Sequence, residues 1–245
     1  MYGSLHRWLD TVCRPVYTVT MDKGILLAGN TSALLNAVEI EVAKRVARYA
    51  VAVIPNRFPV PDEGQPVADT SVGKAGFLLD WNPGSAVSAR TLALAAENRL
   101  GRVDEAILVC SPPLIPCAVA DLKPLDIEVL ASDHVKSWFF LVKELVAGFK
   151  ARGQGSLVLV YPENGAGGKD NTADVLGSAS AASFRALAQG LLASATDEPY
   201  LVQGFTGGEV GNDAAFANFI FRQLDDIRRR VSGKLHKYGK AGFFK

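Results

Sequence analysis

The sequence has no apolar segment of the length that a membrane-spanning helix requires. Apolar runs such as Ala50–Ile54 and Ala106–Cys110 are five residues long, whereas a spanning helix needs about 20. Residues 1–10 also contain no apolar core of the kind that secretory signals carry. We therefore expect neither a helical membrane protein nor a secreted one, and we predict a cytoplasmic location.

Cysteine is scarce, and an excess of charge of one sign is missing. The three cysteines, Cys13, Cys110 and Cys117, form no even set and lie in no Cys/His cluster, so we expect reduced thiols and no metal site. Lys and Arg together number 26 against 25 Asp and Glu, which gives a net charge of +1. This balance excludes strong long-range attraction to nucleic acid or to a membrane surface.

Basic residues are concentrated in the tail, residues 228–245. We interpret this tail as a solvated helix end followed by a terminal segment. The alternative is an anionic contact, either with an acidic surface of a partner subunit or with a CoA phosphate.

The sequence does contain a regular alternation of short apolar runs and longer helical patterns. The predicted strands are 24–28, 51–54, 77–79, 106–110, 156–161, 200–203 and 234–238, and the predicted helices are 34–50, 86–100, 133–152, 173–195 and 213–230. Such alternation is typical of a mostly parallel sheet covered by helices on both faces. We predict a single α/β domain, a Rossmann-like doubly wound parallel sheet over 24–245, preceded by an N-terminal extension over 1–23.

Seven short segments along this pattern resemble those of one known family in their order and spacing. They are Ala28–Ser32, Leu79–Asp80, Leu100–Asp104, Ala151–Val160, Ser178–Ser180, Asp213–Ala217 and Val231–Gly233. The chain is similar to the short-chain dehydrogenases/reductases from about residue 24 to residue 242. The resemblance implies the Rossmann fold of that family, whose active members use NAD and a catalytic tyrosine, lysine and serine.

At the cofactor positions of the family, the sequence departs from the pattern. The first glycine of the dinucleotide loop is present as Gly29, but Ala33 and Leu35 stand at the other two glycine positions. Those glycines let the backbone approach the cofactor pyrophosphate at a helix N-terminus. We expect the Leu35 side chain to enter the pyrophosphate space, and we predict that this chain binds no cofactor.

The catalytic positions of the family are also changed. By the resemblance, Gly177 stands at the tyrosine, Ala181 at the lysine and Pro162 at the serine, and His134 lies near the asparagine of the fourth long helix. No tyrosine in the chain is followed by lysine four residues later, so no shift of the alignment restores the motif. Positioned acid–base catalysis is worth about 10²–10⁴-fold in rate, so we predict that this chain is not an enzyme by itself.

Two alternatives remain open at this point. The chain could be a divergent oxidoreductase that uses Tyr161, Lys169 or His134 in place of the lost residues. It could also be a stand-alone regulatory or ligand-binding pseudoenzyme.

The resemblance further implies an assembly role, because the fourth and fifth long helices of the family pair with those of a neighbouring subunit. The candidate interface residues are Trp138, Phe139, Phe140, Leu145, Phe149, Ser180, Phe184, Leu187 and Phe219. We expect a homologous active subunit as the partner, in a heterotetramer, with NAD in the partner's site. A hydroxyacyl-CoA-type substrate and anaerobic toluene degradation are the expected context, and no nucleic acid or membrane is expected as a partner.

Overall fold

The computed structural model describes residues 23–46, 48–58, 76–115, 117–163, 174–207 and 212–239. The predicted N-terminal extension, apart from Lys23, lies outside the described residues, as do Lys169 and the end of the basic tail from residue 240.

Seven strands form one parallel sheet, as the sequence predicts. They are β1 (Ile25–Asn30), β2 (Tyr49–Ile54), β3 (Gly76–Leu79), β4 (Glu105–Val109), β5 (Ser156–Pro162), β6 (Leu201–Gly207) and β7 (Lys234–Tyr238). Their order across the sheet is β3-β2-β1-β4-β5-β6-β7. The direction of winding therefore reverses between β1 and β4, which is the point where ligands bind in doubly wound sheets.

The described residues form six α-helices, five of which pack on the two faces of the sheet. They are α1 (Ala33–Ala43), α2 (Ala86–Leu100), α3 (Pro124–Leu130), α4 (Ser137–Arg152), α5 (Val175–Ser194) and α6 (Asp213–Asp225). A π-helical turn, Ala131–Lys136, joins α3 to α4. The segments α2, α4 and α5 share one apolar core with the sheet, and α1 and α6 share the other.

The alternation of side chains along each strand explains the two cores. On β1, Leu26 and Ala28 face the core with α2, α4 and α5, whereas Ile25 and Leu27 face the core with α1 and α6. Because both faces of the sheet are covered, β1, β2, β4 and β5 are largely apolar rather than alternately polar, whereas the edge strand β7 is mostly polar. The fold class predicted from the sequence is confirmed.

Several predicted boundaries were wrong, and each has a local cause. β1 continues to Asn30 because Gly29 and Asn30 still pair with Val53 and Ile54 of β2. The first helix ends at Ala43 rather than near residue 50, since the chain must turn before Tyr49 begins β2. The helix predicted to start at residue 133 is preceded without a break by α3 and the π-helical turn.

Candidate functional site

The candidate site lies at the carboxyl ends of β1 and β4. Only Thr31 and Ser32 separate β1 from α1. The Ser32 side chain caps the helix by accepting a hydrogen bond from Leu35 N at 3.1 Å. Thr31 donates to the carbonyl of Ile54 from its backbone N at 3.2 Å and from its hydroxyl at 3.3 Å. Two backbone donors of the turn, Thr31 N and Leu35 N, are thus already used within the chain.

Leu35, which we predicted to enter the pyrophosphate space, packs in the core that α1 and α6 share with the sheet. Its side chain is buried, and its Cδ1 lies 2.7 Å from the point where a Cβ at Gly29 would stand. The carbonyl of Val109 lies 2.8 Å from the same point. Gly29 therefore has no side chain because Leu35 and β4 occupy the space beside it, which is a packing reason independent of any ligand.

A buried hydrogen-bonded group stands where β1 and β4 diverge. The side-chain oxygen of Asn30 accepts a hydrogen bond from Ser111 N at 3.0 Å, which orients the amide. Its Nδ2 then donates to Nδ1 of His134 at 2.7 Å, so the neutral histidine carries its proton on Nε2. That Nε2 is buried and has no partner among the described residues.

The electrostatics of this group keep His134 neutral. Burial, followed by the positive charge of Arg57, lowers the pKa of His134 to about 4. Arg57 lies 3.2 Å from the Asp133 carboxylate, whose own pKa burial raises while Arg57 opposes the shift. Phe58 packs against the imidazole with ring centroids 5.9 Å apart. His134 is therefore enclosed by protein groups and is not exposed to a substrate.

At Gly177, which stands at the position of the family's tyrosine, no side chain can be accommodated. A Cβ built there would collide with the carboxylate of Asp174 and would lie 2.7 Å from the carbonyl oxygen of Pro113. Asp174 caps α5 by accepting a hydrogen bond from Gly177 N at 2.8 Å, and it also pairs with Cys117 in an isolated parallel β-bridge. The segment after β4 thus crosses the N-terminus of α5 at the position of the missing tyrosine.

At the other family positions, Ala181 is buried and Pro162 is half-buried. Ala181 lies on α5, and the neighbouring Ser180 donates to the carbonyl of His134 at 3.3 Å. Pro162 is the last residue of β5 and pairs with Gly207 of β6. Tyr161 lies in the core beside Phe184, with ring centroids 6.0 Å apart, and burial raises the pKa of its hydroxyl.

Sequence reasoning missed Asn30, Asp133 and Asp174. A signal existed for Asp174, because an aspartate three residues before a helical N–H is a common N-cap pattern. Asn30 and Asp133 carry no comparable signal, since their roles depend on residues about a hundred positions away or in a separate loop.

Burial in the structure removes several residues from the predicted interface. Trp138, Leu145, Phe149, Ser180 and Phe184 are buried inside the chain, so no partner can contact them and the prediction was wrong for these five. Trp138 and Phe184 pack against each other with ring centroids 5.0 Å apart. Phe139 is 49% exposed, and Phe140, Leu187 and Phe219 are partly exposed.

Three further observations concern the described part of the chain. It holds no group of three or more His, Cys, Asp or Glu side chains that could bind a metal ion. None of its helices has the length and apolar character needed to cross a membrane. A cavity of about 360 Å³, lined by Gly155, Leu201 and Ser232 among others, lies at the amino-terminal ends of β5 and β6, on the opposite side of the sheet from the carboxyl ends where the candidate site lies.

Comparison with known proteins bears on the fold. Neither a protein-family model nor a curated protein matches the sequence. Among solved structures, the chain is similar to a short-chain dehydrogenase/reductase from Burkholderia xenovorans, with 14% identity, a TM-score of 0.69, and 88% of this chain and 94% of that chain covered. It is also similar to a short-chain dehydrogenase from Mycobacterium smegmatis, with 13% identity, a TM-score of 0.66, and 89% and 93% of the two chains covered. A short-chain dehydrogenase/reductase from Serratia marcescens matches with 14% identity, a TM-score of 0.65, and coverage of 88% and 96%. The chain has the Rossmann-like fold of the short-chain dehydrogenases/reductases over almost nine tenths of its length.

Proposed function

We propose that this chain is a non-catalytic, cytoplasmic subunit that assembles with an active homologous NAD-dependent dehydrogenase and stabilises or shapes the active site of that partner. The observation that carries the proposal is the closed space at Gly177. The Asp174 carboxylate and the Pro113 carbonyl occupy the position of a side chain at residue 177. The absence of the tyrosine therefore involves the surrounding groups as well as the substitution itself. The surrounding backbone is built for a residue without a side chain.

The cofactor side supports the same proposal. Donors of the β1–α1 turn are engaged by Ile54 and Ser32, and α1 carries Ala33 and Leu35 where close phosphate approach requires glycine. These features do not match the requirements of a dinucleotide pyrophosphate. The chain therefore contributes no cofactor of its own, and NAD binds in the partner.

For the assembly we propose a heterotetramer acting on a hydroxyacyl-CoA-type substrate. The precedent is the pairing of an inactive with an active subunit in the hydroxy(phenyl)methylsuccinyl-CoA dehydrogenase of anaerobic toluene degradation. This part of the proposal rests on the pattern of an intact scaffold with lost chemistry rather than on a residue that contacts substrate.

Burial argues against the divergent-oxidoreductase alternative. Tyr161 and His134 are 4% and 1% exposed, and each faces a different group of side chains. Lys169 lies outside the described residues. The stand-alone ligand-binding role stays a prediction that the titration below also tests.

The test is to titrate the purified chain with NADH, following nicotinamide fluorescence, and to assay it with NAD and a hydroxyacyl-CoA. We expect no saturable binding and no turnover. From its source cells, the tagged chain should copurify with a dehydrogenase that has an intact Tyr-x-x-x-Lys motif, with activity in the mixture only. Turnover by the isolated chain that is lost in Tyr161→Phe would overturn the proposal. A stable homomer that binds nucleotide would favour the stand-alone role.

A further inference from the structure

The cavity at the amino-terminal ends of β5 and β6 lies between the carboxyl ends of α4 and α5. Its volume of about 360 Å³ falls within the range of about 300–1,000 Å³ that is typical of binding pockets. The lining is mostly apolar and includes Ala195, Pro199, Tyr200 and Leu201. The cavity therefore has the size and the chemistry to bind a small group of apolar side chains.

The first described residues of the chain lie beside the strands that border this cavity. The backbone N of Gly24 donates to the Asp104 carboxylate at 3.0 Å, and Lys23 lies 2.9 Å from Glu105. Both contacts are on the β4 side of β1, which is also the side of β5 and β6. Residues 1–22, which precede Lys23, therefore join the domain on the side of β1 where the cavity lies.

The pairing of the strands gives the distance between this junction and the cavity. Ile25 pairs with Glu105 of β4, which pairs in turn with Ser156 of β5. Ser156 pairs with Leu201, which lines the cavity. Three steps between neighbouring strands amount to about 14 Å, and an extended chain advances about 3.3 Å per residue. About five residues before Gly24 are therefore enough to reach the cavity.

The part of the N-terminal extension within this reach has apolar side chains at alternate positions. Tyr17, Val19 and Met21 are separated by Thr18 and Thr20. Because successive side chains of an extended chain point to opposite sides, an extended stretch would present the three apolar groups together. Their burial in a mostly apolar cavity would remove apolar surface from water on both sides of the contact, which is favourable.

Covalent attachment favours the chain's own extension over a separate molecule. A segment tethered by a short flexible linker has an effective concentration in the millimolar range at its site. A second copy of the chain at micromolar concentration must bind correspondingly more tightly to compete. Even a weak contact is therefore sufficient for the extension to occupy the cavity.

We infer that Tyr17, Val19 and Met21 of the N-terminal extension bind in the cavity between the carboxyl ends of α4 and α5 of the same chain. The cavity is thus an intramolecular docking site. This docking does not depend on the proposed function, because it involves neither the candidate site nor a catalytic partner.

Limited proteolysis of the full chain with chymotrypsin, which cleaves after accessible aromatic residues, tests the docking. Cleavage after Tyr17, identified by mass, should be at least ~10-fold slower than in a synthetic peptide of residues 14–23, because only the undocked fraction is cleaved. Thr196→Trp places a large side chain at an exposed residue that lines the cavity, and it should restore the peptide's rate. Asn98→Trp, at an exposed position of α2, is the matched control and should leave cleavage slow.

Urea denaturation gives a second measurement of the same contact. Tyr17→Ala should lower the urea midpoint of the full chain, but it should have no effect in the Thr196→Trp background, where the contact is already lost. Tyr2→Ala removes the same side chain at the far end of the extension and should change neither midpoint.

Docking in the cavity is refuted if Tyr17 is cleaved as fast in the full chain as in the peptide. It is also refuted if cleavage stays slow in Thr196→Trp, or if Tyr17→Ala lowers the midpoint equally in both backgrounds. A dimer that Tyr17→Ala dissociates, with protection that rises with protein concentration, would identify a second copy as the occupant and refute the intramolecular contact. Turnover by the isolated chain would refute the proposed function but would not change any of these readouts.

Discussion

At the scale of single residues, the packing around Gly177, which by the resemblance stands at the position of the family's tyrosine, requires a residue without a side chain. Gly177→Ala places a methyl group against the Asp174 carboxylate and the Pro113 carbonyl. We expect the free energy of unfolding to fall by about 1–3 kcal/mol, as in other overpacked sites. Urea denaturation monitored by circular dichroism measures the change.

Gly190 on the same helix provides the matched control. A Cβ at Gly190 meets nothing within 4 Å, so Gly190→Ala should stabilise the chain by about 0.5–1 kcal/mol through helix propensity alone. The double variant G177Y/A181K restores the Tyr-x-x-x-Lys sequence of the family. It should fold poorly and gain no NAD-dependent activity. An active double variant, or a neutral Gly177→Ala, would mean that the space at Gly177 is open.

His134 makes stability depend on pH. Burial and Arg57 lower the pKa of His134 from 6.5 to about 4. His134 is therefore protonated near pH 6.5 in the unfolded chain but only near pH 4 in the folded chain. The unfolding free energy therefore falls as the pH drops from about 6.5 towards 4, by up to roughly 1.4 kcal/mol per unit. Protonation of His134 would also replace the hydrogen bond to Asn30 by two opposed donors, because the new N–H on Nδ1 would face the Nδ2 of Asn30.

Urea midpoints measured from pH 7 to pH 4 test this dependence. His134→Gln should flatten the profile in that interval, whatever its stability at pH 7. His236→Gln measures the separate contribution of His236 to the same profile, because burial, with Lys234 and Arg229, also lowers the pKa of His236. Asp133 opposes part of the effect at the acid end, since burial raises its pKa. Parallel profiles for His134→Gln and the unmodified chain would contradict the assignment.

At the scale of elements, the π-helical turn between α3 and α4 is the feature that the sequence could not predict. An apolar period close to 3.6 marks α4 and α5 clearly, but inserting one residue into a helix leaves no comparable pattern. Two hydrogen bonds hold the turn. One is tertiary, from Ser180 of α5 to the carbonyl of His134, and one is local, from Ser137 to the carbonyl of Asp133 at 2.7 Å. The helix predicted over residues 133–152 matches α4 from Ser137 onwards, but the prediction missed the π-helical turn and α3 before it.

Ser180→Ala tests this link between α5 and the π-helical turn. Removing the hydroxyl deletes one buried hydrogen bond to the carbonyl of His134, which should cost about 0.5–1.5 kcal/mol of unfolding free energy. Ser178→Ala, two residues away and exposed, should change stability by less than about 0.5 kcal/mol. Amide exchange should accelerate around residues 131–137 in Ser180→Ala only. Equal effects of the two substitutions would show that the Ser180 hydroxyl does not stabilise the π-helical turn.

At the scale of the whole molecule, the fold was predictable and the filled site was not. Alternating strands and helices suffice to predict a doubly wound parallel sheet, because each strand needs a helix on its face. The replacement of the family's tyrosine and lysine by Gly177 and Ala181 stays a prediction from the resemblance. The path of the segment after β4 over Gly177, and the burial of Leu35 against Gly29, depend on distant packing that no local pattern encodes.

A buried ion cluster joins segments from the beginning, middle and end of the described chain. Glu105, the first residue of β4, is 1% exposed and lies 2.9 Å from Lys23, just before β1, and 2.6 Å from Arg230, just before β7. Glu105→Gln should therefore lower the unfolding free energy by roughly 3 kcal/mol, near the lower end for buried pairs, because both cations keep some water contact.

Glu163→Gln is the control for Glu105→Gln, because the Lys237–Glu163 pair is exposed on both sides and should contribute at most about 1 kcal/mol. Because a buried carboxylate is screened weakly by salt, the deficit of Glu105→Gln should persist in high salt, whereas any deficit of Glu163→Gln should vanish. Denaturation of the three proteins in low and high salt separates these cases. If Glu105→Gln were neutral, the three segments would be held by strand pairing alone, and Glu105 would be a tolerated buried charge rather than a link between the two ends of the domain.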